Sequence, residues 1–162
     1  MRVLNDTRLA TARLARREGD WMMAVELAGN VMTTGENQHV QQAVLIVHDV
    51  MVRQGRREEA EPYLQFAIDR CGSREARRFL QCALADIAVA RGEADRARSL
   101  FDEAFHGLTM LDTTNPDQLE TYATVLERHG EVARVHWART RAQHERTWQQ
   151  AGLQTSPLTR GR

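Results

Sequence analysis

Six histidines, His39, His48, His106, His129, His136 and His144, are the residues of this chain with the widest chemical reach. A neutral imidazole can ligate a metal, and one that titrates near neutral pH can move a proton. Acidic neighbours stand close at His48-Asp49 and Glu127-x-His129, but no two histidines lie four residues apart and no His-Glu-x-x-His occurs. The spacing therefore sets no ligand pair on one helical face. His129 directly precedes Gly130 and reads as a cation near a helix C-terminus. Cys71 and Cys82 flank a turn signal and lack Cys-x-x-Cys spacing, so they read as reduced, partly buried thiols, with a disulfide between them as the alternative. There is no glycine-rich phosphate loop and no Gly-x-Ser-x-Gly elbow, and serine occurs only at Ser73, Ser99 and Ser156. The expectation is a chain with no catalytic residues, no metal and no cofactor.

Binding chemistry is better represented. Trp137, Arg141, His144 and Trp148 follow one another at helical intervals and form one stripe, while Val132, Val135, Ala138 and Ala142 form another. If the aliphatic stripe turns inward, the aromatic and Arg stripe is left for a homodimer, a protein partner or contact with the C-terminal tail. If the whole wide face turns inward, it is all core. The same stripe could stack on single-stranded nucleic acid. However, 22 basic residues balance 22 acidic ones, and a net charge of zero gives no field to gather a polyanion. Nucleic acid is therefore not the expected partner. All 22 basic residues are Arg, which reads as a GC-rich coding bias, with bidentate carboxylate recognition as the alternative.

The elements that must position these residues are marked by Gly19, Gly55, Gly92 and Gly130, which recur at intervals of about 36, 37 and 38 residues. Each closes an apolar pattern with helical spacing and opens another. Leu9, Ala10, Ala12, Leu14 and Ala15 precede Gly19, and Trp21, Ala24, Val25, Leu27, Ala28, Val31 and Met32 follow it. Val40, Ala43, Val44, Val47 and Val50 precede Gly55, and Ala60, Leu64 and Ala67 follow it. Phe79, Leu80, Ala83, Leu84, Ile87 and Ala88 precede Gly92, and Ala97, Leu100, Phe101, Ala104 and Phe105 follow it. Leu119, Tyr122, Ala123 and Leu126 lead to Gly130, after which a longer helix runs from about Glu131 to Ala151. Glycine supplies the left-handed backbone that ends a helix, and Asp20 can cap the next one. Asn115-Pro116 with Gln118 reads as an N-cap, a first helical residue and a capping-box partner. Thr33-Thr34-Gly35, Cys71-Gly72-Ser73 and the stretch from Gly107 to Asn115 read as connections. No alternating β-branched run appears, so the fold class is all-α.

These residues resemble the tetratricopeptide family, whose helical hairpins carry a glycine near the turn and small residues at fixed offsets from it. The small residue five positions after the glycine is Ala24, Ala60 and Ala97, with Val135 in the fourth copy. Seven before it stand Ala12, Ala85 and Ala123, with His48 in the second copy. Nine after it, where the family has a large apolar residue, stand Leu64 and Phe101, with Ala28 and Arg139 departing. Twelve after it stand Val31, Ala67, Ala104 and Ala142. The resemblance covers roughly Asp6 to Ala151, with a period longer than the usual ~34 residues.

The resemblance implies a right-handed superhelix of about four antiparallel hairpins whose first helices line a concave groove. Carried over residue by residue, the groove takes Arg13, Arg16 and Arg17, then Leu45, Asp49 and Arg53, then Phe79, Cys82, Asp86 and Val89, and finally Glu120, Thr124 and Glu127. It would run from an Arg-rich end to an acidic one. The Arg cluster could grip a carboxylate or phosphate, or be a solvated face paired with Glu18 and Asp20. The family's carboxylate clamp for chaperone tails is not reproduced.

The bulk numbers fit one domain. At 162 residues, 42% hydrophobic and 27% charged, the expectation is a single helical-repeat domain over 1–152 and a disordered tail over 153–162. No apolar run approaches membrane-spanning length, and Met1 to Asp6 lack a signal-peptide pattern, so a cytoplasmic chain without membrane contact is expected. The functional expectation is a non-catalytic module that binds a protein or peptide. The alternative is a sensor or effector-binding partner of a bacterial transcriptional regulator.

Overall fold

The backbone reverses where the glycines predict. Gly19, Gly55, Gly92 and Gly130 have φ of +81°, +72°, +74° and +72°. After each, the next residue's N–H returns to the carbonyl five positions back: Asp20 to Ala15 at 2.9 Å, Arg56 to Met51 at 2.7 Å, Glu93 to Ala88 at 2.9 Å and Glu131 to Leu126 at 3.2 Å. Together with the bond from each glycine's own N–H to the carbonyl three positions back, this is a Schellman cap used four times. A Cβ added at Gly92 would meet nothing within 4 Å. Gly92→Ala is therefore expected to cost only the left-handed backbone penalty, about 1–2 kcal/mol, read as a lowered urea midpoint with an unchanged slope.

In the computed structural model, which describes residues 2–110 and 112–152, these turns separate eight α-helices, and no strand occurs among the described residues. They are α1 (Arg2–Glu18), α2 (Trp21–Thr34), α3 (Asn37–Arg53), α4 (Glu61–Asp69), α5 (Arg74–Ala90), α6 (Ala94–Phe105), α7 (Pro116–Arg128) and α8 (Val132–Gln150). A short 3-10 turn, Arg57–Ala60, leads into α4, where Pro62 sits in the first turn. The expected tail, 153–162, lies outside the described residues.

Three of the starts are capped as the residues imply. Asp20 accepts from the Met23 N–H at 3.1 Å, Ser73 from that of Ala76 at 3.3 Å and Asn115 from that of Asp117 at 2.9 Å. One connection is shorter than expected, because α2 continues through Thr33 and Thr34. The Thr34 hydroxyl returns to the Asn30 carbonyl at 2.7 Å and pairs with buried Asn5 of α1, which holds the last turn in place.

The chain divides into two compact units, with the boundary between Ile87 and Ala88 inside α5. In the first unit α2 packs on α1 and α3, α1 on α3, and α3 on α4. Small residues allow the close approach: Ala12, Ala24, Ala28, Ala43, Ala60 and Ala67 are fully buried, with Val31, Val44, Val50 and Leu64 filling the space between them. In the second unit α7 packs on α6 and α8. The Phe101, Phe105 and Tyr122 rings form its centre, with Tyr122 5.4 Å from each of the other two centroids. The Tyr122 hydroxyl donates to Asp102 and accepts from Arg134, whose guanidinium also holds Glu131 at 2.9 Å. Burial first, and then Asp102, push the Tyr122 phenol above its ordinary range, so it stays a neutral donor.

The departures from the repeat pattern now have physical readings. His48 stands at a small-residue position and is half-buried, while Arg139, at a large apolar position, is exposed. Every other position at a fixed offset from the glycines, Val135 included, is buried, but of the wider apolar pattern Ala10 and Leu14 are exposed and Trp21, Val25, Leu27, Met32, Phe79 and Leu100 only half-buried.

Candidate functional site

Spacing along α1 puts Arg13 and Arg16 on one face, and α3 supplies what they meet. Arg13 donates to the Gln42 amide oxygen. Arg16 lies 3.5 Å from Asp49, which Arg53 also holds at 3.0 Å, and the Arg53 guanidinium sits 5.9 Å from the Trp21 ring centre. The Arg cluster is thus largely engaged within its own unit. Arg17 stands apart, exposed. Partly exposed pairs of this kind are worth at most about 1 kcal/mol each, so they orient side chains more than they stabilise the fold.

Next to this cluster the first unit has an open cavity of about 710 Å³ between the N-terminal halves of α3 and α5. Leu45 and Phe79, both expected at the groove, line it together with Ala76. The rest of the α3 wall is amide: Asn37, Gln38, Gln41 and Gln42. Gln41 is only 7% exposed, yet among the described residues its side-chain amide has no hydrogen-bond partner. Glu75 lines the opposite wall from the first turn of α5.

Other expected positions are corrected by the structure. Cys82 is 1% exposed and cannot offer apolar contact to a ligand. Burial pushes its thiol well above the usual range, with Asp86 adding to the shift, so it is an inert packing residue. No disulfide joins it to Cys71, and both thiols are free. Asp86 and Val89 are half-buried farther along α5.

In the second unit the expected acidic surface is neutralised. Glu120 is met by Arg146 at 3.0 Å and Arg139 at 3.9 Å, and Glu127 by Arg139 at 3.1 Å. Thr124 is exposed and its hydroxyl returns to the Glu120 carbonyl of its own helix at 3.1 Å.

Of the two arrangements expected for α8, a free aromatic stripe and an all-core face, the residues follow neither throughout, since Arg141 is buried and Trp137 exposed. Arg141 is buried, donating to the Thr109 carbonyl at 2.9 Å and the Asp112 carbonyl at 2.6 Å while pairing with Glu145 at 3.2 Å. Three groups thus converge on one planar fork, which clamps the connection before α7. His144 and Trp148 contact each other at 5.5 Å between ring centres and are half-buried, while Trp137 is 41% exposed. Val132, assigned to the inward stripe, is 79% exposed, whereas Val135, Ala138 and Ala142 are buried.

The histidines do not converge on a common centre, and among the described residues no three His, Cys, Asp or Glu side chains gather closely enough to hold a metal. Two of them titrate in opposite senses. Burial lowers the His48 pKa, Arg57 lowers it further, and its Nε2 is buried without a partner. A bond to Asp95 at 2.9 Å, followed by one to the Val125 carbonyl at 2.8 Å, raises that of His129. With a depressed folded pKa, His48 supports the fold above about pH 6.5 and withdraws that support as the pH falls through its folded value. With a raised folded pKa, His129 gives full support below about pH 6.5 and loses it as the pH rises through its folded value. Urea midpoints between pH 5 and pH 8 check both. His48→Leu should flatten the acid-side decline of the wild type, and His129→Gln the decline on the alkaline side.

No protein-family model matches the chain, and no curated protein matches it. Among the described residues no helix is long and apolar enough to cross a membrane.

Proposed function

We propose that this chain is a non-catalytic, tetratricopeptide-like module that binds a protein or peptide on the face made by the first helices of its hairpins. The observation that carries the reading is the cavity of about 710 Å³ between α3 and α5, where Leu45 and Phe79 provide an apolar floor beside an amide wall. A concave site with apolar lining and a few convergent polar groups is the usual form of a binding site. The four capped turns and their buried small residues support the same reading, since each turn reverses the chain and the small residues take up one face of their helices, which leaves the remaining faces for contact. In unit one that free face is α3 and α5.

The test is a selection of randomised octapeptides displayed on phage against the whole chain. Enriched peptides should bind Leu45→Glu and Phe79→Glu at least about tenfold more weakly than the wild type, as for loss of a central apolar anchor. A selection that enriches nothing, or peptides indifferent to both substitutions, would remove the reading.

A further inference from the structure

We infer that the C-terminal ends of α1 and α3 form a site for a phosphate monoester, in which Arg16 and Arg53 grip the phosphate oxygens while Arg13 and Arg17 supply further positive charge. The site uses residues outside the lining of the α3–α5 cavity and does not depend on what the cavity holds.

Four guanidinium groups meet one carboxylate here. Arg13 donates to the neutral Gln42 amide, Arg16 and Arg53 share Asp49, and Arg17 has no partner among the described residues. Glu18 and Asp20, the carboxylates nearest in sequence to the α1 arginines, form no ion pair among the described residues, and Asp20 accepts from the Met23 N–H instead. The closest approach to both Arg16 and Arg53 is made by one Asp49 oxygen, Oδ2, at 3.5 Å and 3.0 Å. A guanidinium carries several donors, so this one oxygen leaves most of them open. The Arg16 and Arg53 side chains are 29% and 58% exposed, within reach of a ligand from solvent.

Arginine at a helix C-terminus commonly serves the last carbonyls. Here the turns have taken them. The Gly19 and Asp20 N–H groups bond to the Arg16 and Ala15 carbonyls of α1, and those of Gly55 and Arg56 to the Val52 and Met51 carbonyls of α3. None of the four arginine side chains bonds to a carbonyl among the described residues. Arg53 lies over the Trp21 ring at 5.9 Å from its centre, a contact that steadies the group and leaves its N–H donors for other partners.

The surplus charge selects the ligand. A carboxylate brings a single negative charge and repeats what Asp49 already supplies. A phosphate monoester carries about −1.5 to −2 and three acceptor oxygens, enough to take N–H groups from Arg16 and Arg53 together without displacing Asp49. Asp49 then has two effects: it holds both forks in place, and its opposing charge limits the affinity.

The test is a nuclear magnetic resonance titration of the nitrogen-15-labelled chain at constant ionic strength, read at the Arg16, Arg17 and Arg53 Nε–H signals. Inorganic phosphate is the ligand in one arm and a blocked Gly-phosphoserine-Gly tripeptide in the other. Both should saturate with a Kd below about 10 mM; a tighter tripeptide would assign the phosphate to a partner's side chain, and equal affinities to free phosphate. Arg16→Gln and Arg53→Gln should each weaken binding at least about tenfold, and acetate should bind at least about tenfold more weakly than phosphate. Asp49→Asn should tighten binding at least about threefold, because the opposing charge is gone while an oxygen remains to hold the forks. Arg17→Gln, at an exposed position without a partner, should lose about threefold and stands in if either other Arg variant loses helical circular dichroism. Absence of saturation, acetate binding as tightly as phosphate, indifference to the Arg substitutions, or Asp49→Asn binding more weakly than the wild type would overturn the site.

Discussion

Phe101→Ala is expected to destabilise the second unit by about 3–5 kcal/mol, the largest effect of any single truncation in the chain. Phe101 has no exposed surface, stacks parallel to Phe105 at 6.0 Å and tilts against Tyr122 at 5.4 Å. Truncation removes the ring's transfer free energy and leaves a cavity beside two rings that cannot collapse freely, because the Tyr122 hydroxyl is tied to Asp102 and Arg134. Phe101→Leu, which retains most of the volume, should cost less than half as much. Urea unfolding followed at the helical circular dichroism signal checks both. Equal losses for the two variants would mean that the site relaxes around the gap and that the ring cluster is not the centre of the unit.

Arg141→Met should cost about 3 kcal/mol, although it replaces a charged residue with an apolar one of similar length. The guanidinium satisfies the Thr109 and Asp112 carbonyls and pairs with Glu145, itself only 12% exposed. Removing it strips a largely buried carboxylate of its counter-charge and takes a charged donor from two carbonyls, a penalty that methionine packing cannot offset. Arg141→Met combined with Glu145→Leu should recover part of the loss, since no unpaired charge then remains. Hydrogen exchange gives the local view: amides from Thr109 to Leu119 should lose protection first. A variant as stable as the wild type would show that Arg141 is a surface residue after all.

Arg141 also shows where reading from sequence stops. Helical spacing places it correctly on one stripe with Trp137, His144 and Trp148, but spacing does not say which stripe faces a neighbour. Its partners lie about 30 residues away in a connection with no regular structure, so nothing local to α8 announces them. The same holds for Glu120 and Glu127, whose charges are met by Arg139 and Arg146 of another helix. Arg139 looks like a failed repeat position, but in the structure it replaces an apolar contact with ion pairs.

Where the physics is local, the reading carries through. A residue that must adopt φ near +74° without a β-carbon clash is glycine, and a free N–H at a helix start selects Asp20, Ser73 or Asn115. Leu45 and Phe79 were legible because each stands one step off the buried stripe of its helix. Cys82 stands in a comparable register but turns inward, among Leu80, Ala83 and Ala85, all buried. Gln41 escaped notice because a glutamine within a helix carries no periodic signal of its own. The clue was the run Asn37-Gln38 and Gln41-Gln42, four amides at the spacing of one helical face.

The central claim, that the face of α3 and α5 is where a peptide sits, is tested most directly by nuclear magnetic resonance on the nitrogen-15-labelled chain titrated with the selected octapeptide. The account predicts shifts of the Gln41 side-chain NH₂ and of the backbone amides of Ser73, Ala76 and Phe79, with α8 unmoved. Shifts centred on Trp137 and Trp148, with the Gln41 side chain silent, would contradict it.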